Sequence, residues 1–129
     1  MNVNLVHVAI LVNDYDEAID YYTQKLNFDL IKDEQLSETK RWVLVKPKGE
    51  GACCILLAKA DGTAQKNFIG KQSGGRVFLF LHTDNFERDY GLLRQHNIKI
   101  IREPSDEAYG RVAVFEDLYG NKWDLIEPK

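Results

Sequence analysis

Alternating apolar and polar positions predict the same order of elements in both halves of the chain. In the first half they predict a strand at 5–13, an amphipathic helix that begins after Asp14, and strands at 28–34, 40–46 and 52–58. Both faces of the first strand are apolar, so we expect both faces to be covered. The predicted order is βαβββ.

The second half repeats this order at an offset of seventy residues. A strand at 76–82 precedes a helix that we expect to begin at Asp84, as the first helix begins at Asp14. Asn97 ends the second helix as Asn27 ends the first. A cap, an apolar stripe and a hairpin that share one offset indicate an internal repeat.

The stretch 109–128 shows the end of the repeated unit most clearly. Its alternating positions predict a β-hairpin whose turn contains Gly120, with Asp124 held in the second strand between Trp123 and Leu125. At an offset of seventy, Asp124 corresponds to Cys54. A carboxylate in the middle of an apolar strand is a candidate functional group.

Two βαβββ modules predict an α+β fold, with the modules in tandem and a cupped mixed sheet around a cavity. Each module has four strands but only one helix, which covers one face of its sheet. The other faces, with His7 in one module and Val77, Leu79 and Leu81 in the other, are expected to line the cavity. His82 is expected on the opposite face, beside the helix. The predicted segments of this single domain are module one (4–59), a polar, exposed connector (60–75) and module two (76–128).

Composition narrows the range of partners. The formal net charge is -3, and the basic residues are scattered, which argues against nucleic acid as a partner. No apolar run is long enough to cross a bilayer, and the N-terminal segment lacks the features of a signal peptide, so no membrane partner is expected. Cys53 and Cys54 are neighbours, about 3.8 Å apart at Cα and too close for an ordinary disulfide. We therefore expect a reduced, cytoplasmic protein.

Seven segments of the chain match one known family: 7–14, 16–22, 26–28, 40–47, 103–104, 109–111 and 117–124. They resemble the vicinal oxygen chelate superfamily, which contains glyoxalase I, bleomycin-resistance proteins and extradiol dioxygenases. The resemblance covers nearly the whole chain except the connector, and it is to the glyoxalase-like branch. It is specific for the fold and weak for the reaction, since this fold supports several chemistries.

The resemblance also implies where a divalent metal would bind. Metal-dependent members take ligands from the first and last strands of each module, which here gives His7, Val77, Cys54 (or Leu56) and Asp124. Val77 has no ligating atom, so the usual site is incomplete. We therefore expect His7 and Asp124 to line a metal-free pocket. The alternative is a divalent ion held by His7, Asp124 and Cys54.

Further ligand-binding candidates are Arg41, Trp42, Tyr109 and Arg111. An aromatic ring next to arginine suits a planar or anionic ligand. The alternative is that Trp42 packs in the core and the two arginines lie on strand edges.

Two classes of function follow from the resemblance. The first is a protein that binds a small molecule without turnover, as resistance proteins of the family do. The second is a metal-dependent lyase or dioxygenase of the glyoxalase I or extradiol type, in which the Asp124 carboxylate moves a proton. The empty ligand position favours binding. A homodimer is expected from the resemblance and from apolar strand residues that one layer of helices leaves uncovered.

Overall fold

The computed structural model describes residues 1–129, and module one has the predicted order of elements. Its helix continues from α1 into one π-helical turn, and the observed boundaries lie within two residues of the predicted ones. The elements of module one are β1 (His7–Val12), α1 (Tyr15–Asp20), the π-turn (Tyr21–Lys25), β2 (Asp29–Gln35), β3 (Arg41–Lys46) and β4 (Cys54–Lys59).

Module two repeats this order after a short helix, α2, that the sequence did not predict in the connector. No residue of α2 is buried. The chain separates into two compact units, residues 1–69 and 70–129, with one module in each. The remaining elements are α2 (Gly62–Asn67), β5 (Val77–His82), α3 (Phe86–Gln95), β6 (Lys99–Glu107), β7 (Gly110–Glu116) and β8 (Lys122–Pro128).

Each module forms a four-stranded mixed sheet. The strand orders are β1-β4-β3-β2 and β5-β8-β7-β6, and in each sheet the first strand of the module pairs parallel with the last. The remaining pairs are antiparallel. This topology confirms the predicted α+β fold of tandem βαβββ modules. None of the helices has the length and apolar character needed to span a membrane.

The predicted helix of each module ends where we expected it to end. The helix of module two, α3, begins one residue later than predicted. Asp14 caps α1, where its Oδ2 accepts a hydrogen bond from the Glu17 amide at 2.8 Å. Asn27 and Asn97 follow the helices with φ of 59° and 58°, the left-handed conformation typical of a helix C-terminus. The cap of α3 is Asn85, whose side chain accepts from a backbone amide of the first turn. The prediction of Asp84 as the cap was wrong.

The offset between the modules is also not constant at seventy. Asn85 lies 71 residues after Asp14, whereas Asn97 lies 70 residues after Asn27. The π-turn accounts for this difference, because a π-turn accommodates one more residue than an α-helical turn. Between the last two strands, module one has two more residues than module two, so β8 corresponds to β4 at an offset of 68.

A bulge in β5 changes which side chains face which way. In the pairing of β5 with β8, Val77 lies opposite Lys122 and Leu79 lies opposite the next residue, Trp123. Phe78 is therefore an extra residue in β5. Register partners in a sheet point to the same side. Leu79 and Leu81 therefore share the side of Trp123 and Leu125, and the prediction that they line a cavity with Val77 was wrong.

The same bulge brings two other residues of β5 to the face that bears Asp124. Phe80 is the register partner of Asp124, and His82 is the register partner of Ile126. His82 was expected beside the helix, but it lies on the opposite face. Strand parity counted from Val77 failed because the count passed through the bulge.

Candidate functional site

The main candidate site lies on the side of the second sheet that faces away from α3, which we call the far face. Four residues form one row across this face, one from each strand. In the order β6, β7, β8, β5 they are Arg102, Val114, Asp124 and Phe80. Neighbouring strands lie about 4.8 Å apart, so each residue of the row lies beside the next.

Exposure differs along this row. Val114 is buried, Asp124 is half-buried, and the side chain of Phe80 is 61% exposed. An exposed phenylalanine beside a half-buried carboxylate is an unusual combination. The exposed ring gives up the free energy that burial of its apolar surface would provide, and the partial burial of a charge costs free energy. The combination is typical of a surface that receives a ligand.

The carboxylate of Asp124 has no hydrogen-bond or ion-pair partner within the chain. Burial raises the pKa of Asp124, and the positive charge of Arg102 only partly opposes this effect. Arg102 itself is paired, with its Nη2 3.1 Å from Oε1 of Glu107. A carboxylate whose pKa is raised by desolvation and that lacks a partner is a recognised mark of functional sites.

The corresponding row of module one is apolar where module two carries Asp124. Its members are Lys32, Leu44, Leu56 and Ala9 in the order β2, β3, β4, β1. Leu56 is therefore the counterpart of Asp124, and the pairing of Asp124 with Cys54 at an offset of seventy was wrong. The two modules present chemically different far faces.

His7 lies on the far face of module one. Its Nδ1 is 2.6 Å from the carbonyl oxygen of Val6, and a carbonyl oxygen only accepts, so Nδ1 is the donor of this hydrogen bond. The ring meets that of Trp42 edge-on, with 6.2 Å between the centroids. Cys54 is the register partner of His7 and is buried. Module one thus brings together three of the residues that the sequence singled out.

Two other candidates, Arg41 and Arg111, lie on the helix side of their sheets. Arg41 stacks over the ring of Tyr15 at 5.1 Å, and Arg111 stacks over the ring of Phe86 at 5.3 Å. Both also form ion pairs with acidic residues, and Arg41 is 2.7 Å from Asp33. These contacts hold both arginine side chains on the helix side of their sheets, so neither arginine lies in the site on the far face.

Tyr109 lies in the turn between β6 and β7 and is exposed. The candidates that the sequence missed are Phe80 and Arg102. Arg102 lies 70 residues after Lys32, so the repeat itself was the signal for it. Phe80 had no local signal, because only the bulge in β5 turns it towards Asp124.

Comparison with known proteins identifies the family. A model of the Glyoxalase/Bleomycin resistance protein/Dioxygenase superfamily matches residues 4–125. The chain belongs to this superfamily. An uncharacterized protein of Shewanella frigidimarina is 56% identical over 128 residues, which are 98% of this chain and 95% of that protein.

Two solved structures of similar proteins agree with this membership. UcmS2 is 33% identical with a TM-score of 0.86, and the match covers 98% of this chain and 99% of that chain. TnmS3, an antibiotic binding protein from Streptomyces sp. CB03234, is 27% identical with a TM-score of 0.81, and the match covers 99% and 98%. The similarity to both therefore extends over the whole fold.

The residues at the metal positions implied by the resemblance do not make a full ligand set. The first-strand positions hold His7 in module one and the Val77-Phe78 bulge in module two. The last-strand counterparts are Leu56 and Asp124, so each module contributes one ligating residue at these positions. Within neither module do three or more His, Cys, Asp or Glu side chains come together in a group suited to a metal. This ligand set does not fit the four-ligand site of the metal-dependent members.

The unpaired charge of Asp124 leads to a stability prediction. We expect Asp124→Asn to stabilise the protein by about 0.5–1 kcal/mol at neutral pH, because the amide keeps the shape of the side chain and removes the charge. The gain should be absent below the ordinary Asp pKa of 3.8, where the wild-type carboxyl is protonated in both states. It should grow as the pH rises from 3.8 to the raised pKa of the folded state and stay constant above that pKa.

Urea unfolding of the wild type and the variant across this pH range measures the difference. Equal stability of the two proteins at neutral pH would contradict the assignment of Asp124 as an uncompensated carboxylate.

Proposed function

We propose that the protein binds an organic small molecule on the far faces of its sheets, without metal-dependent turnover. The observation that carries the proposal is the far face of module two, where the half-buried carboxylate of Asp124 and the exposed ring of Phe80 lie side by side. Sites for small molecules combine apolar contact area with a few polar groups that orient the ligand.

The far face of module one supports the same function. Leu44 and Leu56 supply apolar area, the Trp42 indole supplies a flat aromatic surface, and the imidazole of His7 supplies a polar group. TnmS3 is an antibiotic binding protein with the same fold, which is consistent with binding as a role of this architecture. The incomplete set of metal ligands favours binding over metal-dependent lyase or dioxygenase chemistry.

Calorimetric titration tests the proposal, with acridine as an uncharged planar probe. We expect acridine to bind the wild type with a micromolar Kd, because the exposed ring of Phe80 on the far face of module two is available for stacking.

A matched pair of substitutions locates the binding surface. His82→Glu places a negative charge on the far face of module two at an exposed position, and we expect it to weaken acridine binding at least about tenfold. Ala64→Glu places the same charge on the exposed helix α2 and should leave binding unchanged. Equal affinities of the two variants would place the ligand elsewhere, and no binding of acridine to the wild type would contradict the proposed function.

We also propose that the protein is a homodimer. Several large apolar residues are exposed in the single chain, among them Leu5, Val6 and Ile31. Burial of these residues between two copies would account for their exposure. Sedimentation at micromolar concentration should give the mass of a dimer, and a monomer alone would refute this part of the proposal.

A cytoplasmic location is part of the same proposal. Cys53 is exposed and Cys54 is buried, and both thiols are free. Free adjacent thiols are stable in a reducing compartment, which supports the cytoplasm as the place where the protein works.

A further inference from the structure

The charges around Asp124 on the far face of module two are already engaged with other groups. Arg102 pairs with Glu107, whose Oε1 also accepts a hydrogen bond from the Ser105 hydroxyl at 3.0 Å. Lys122 lies two residues before Asp124 on the same strand, but its Nζ donates to the carbonyl oxygen of Gly75 at 3.0 Å. Neither Arg102 nor Lys122 is therefore available to pair with the Asp124 carboxylate, which can instead pair with a cationic group of a ligand.

The second group at this position is the ring of Phe80. Phe80 is the register partner of Asp124 on the neighbouring strand, and its exposed face carries the negative potential of an aromatic ring. A carboxylate and an aromatic face side by side both attract a cation with an apolar body, by charge pairing and by cation–π contact. His82, the other titratable group of β5 on this face, lies one row further along, beside Ile126.

Module one provides an internal comparison. At the positions that correspond to Asp124 and Phe80, it carries Leu56 and Ala9, which have neither charge nor ring. At these two positions, therefore, only module two can attract a cation. The asymmetry between two copies of one module marks Asp124 and Phe80 as a specialised subsite.

We infer that Asp124 and Phe80 form a cation-binding subsite, and that the ligand is an apolar or aromatic molecule that carries a protonated amine or a quaternary ammonium group. The cationic group contacts the Asp124 carboxylate and the face of Phe80, and the apolar part of the ligand covers the rest of the ring. This inference rests on the proposed function, and it names the chemical class that the same site selects.

Two probes with one ring system separate charge recognition from binding in general. 9-Aminoacridine is protonated at neutral pH, whereas acridine is uncharged. We expect the wild type to bind 9-aminoacridine about tenfold more tightly than acridine, as an ion pair together with a cation–π contact allows. Fluorescence titration of both probes measures the ratio of the two Kd values.

Three variants assign the preference to the subsite. Asp124→Asn should remove the preference, so that the two probes bind with equal Kd. Phe80→Leu should raise the Kd of both probes, and that of 9-aminoacridine more. Asp106→Asn is the control, because Asp106 lies on the same sheet but pairs in register with Arg111 on the helix side. Asp106→Asn should retain the wild-type ratio of the Kd values for the two probes.

The outcomes distinguish the two levels of the proposal. Binding of both probes with equal Kd to the wild type, or a preference that survives in Asp124→Asn, would overturn the cation subsite and leave the proposed function standing. Binding of neither probe to the wild type would overturn the proposed function itself.

Discussion

Asp117→Asn is expected to destabilise the protein by about 2–4 kcal/mol, because it breaks a buried network of charge-assisted hydrogen bonds. Asp117 is only 6% exposed, and its two carboxylate oxygens accept from four N–H groups. Oδ1 accepts from the backbone amides of Tyr119 and Asn121, each at 3.0 Å. Oδ2 accepts from the side-chain amide of Asn121 at 3.0 Å and from the indole of Trp123 at 3.1 Å.

An asparagine at this position cannot satisfy the same four donors. Its side-chain amide ends in one oxygen, which accepts, and one NH2 group, which donates. Either the indole of Trp123 or the amides of the turn would therefore face an N–H group. The turn that these bonds hold connects β7 to β8, and the position of β8 determines where Asp124 lies on the far face. Loss of the network should therefore weaken ligand binding as well as stability.

Urea unfolding with the matched variant Asp106→Asn measures the effect. Asp106 is exposed, and its contact with Arg111 is long, at 3.5 Å, so that substitution should change the free energy of unfolding by no more than about 0.5 kcal/mol. Similar values for the two variants would mean that the Asp117 network contributes nothing beyond an ordinary surface carboxylate.

Gly70→Ala is the second substitution with a large expected effect, a loss of about 3 kcal/mol or more. Gly70 has a φ of 74°, a left-handed conformation that favours glycine. In addition, a Cβ at this position would overlap the carbonyl oxygen of Tyr119 and lie 3.0 Å from its carbonyl carbon. Both neighbours are backbone atoms of the β7–β8 turn, so neither can move without disturbing the turn.

Gly62 separates the two causes of this loss. Its φ of 77° is nearly the same, but a Cβ there would meet nothing within 4 Å. Gly62→Ala should therefore show only the cost of the left-handed conformation, about 1 kcal/mol. Calorimetric unfolding of the two variants measures the difference, and equal losses would show that the turn accommodates a methyl group at Gly70.

Local patterns in the sequence were sufficient for most of the fold. The capping carboxylate of Asp14, the left-handed residues Asn27 and Asn97, and the apolar alternation of the strands act over a few neighbouring residues. Such signals are readable without tertiary structure. For this reason the order of elements, the internal repeat and the family resemblance all followed from the sequence.

The candidate site was only partly predictable. His7 and Asp124 were chosen from strand parity and resemblance, and Trp42 as an aromatic ring next to Arg41; all three lie on far faces. Phe80 was missed because one extra residue in β5 reverses the parity beyond Val77. A bulge has no clear local signature in an apolar strand, so parity counted through it gives the wrong face.

By itself the sequence determined the two modules, their strands and the presence of a carboxylate in the last strand. Only the tertiary structure decided that Asp124 lies between Val114 and Phe80, that its module-one counterpart is Leu56, and that Arg102 is already paired with Glu107. The physical reason is that strand register depends on loop lengths and bulges, which join residues far apart in the chain. The pKa and the pairing of a carboxylate then depend on those distant neighbours.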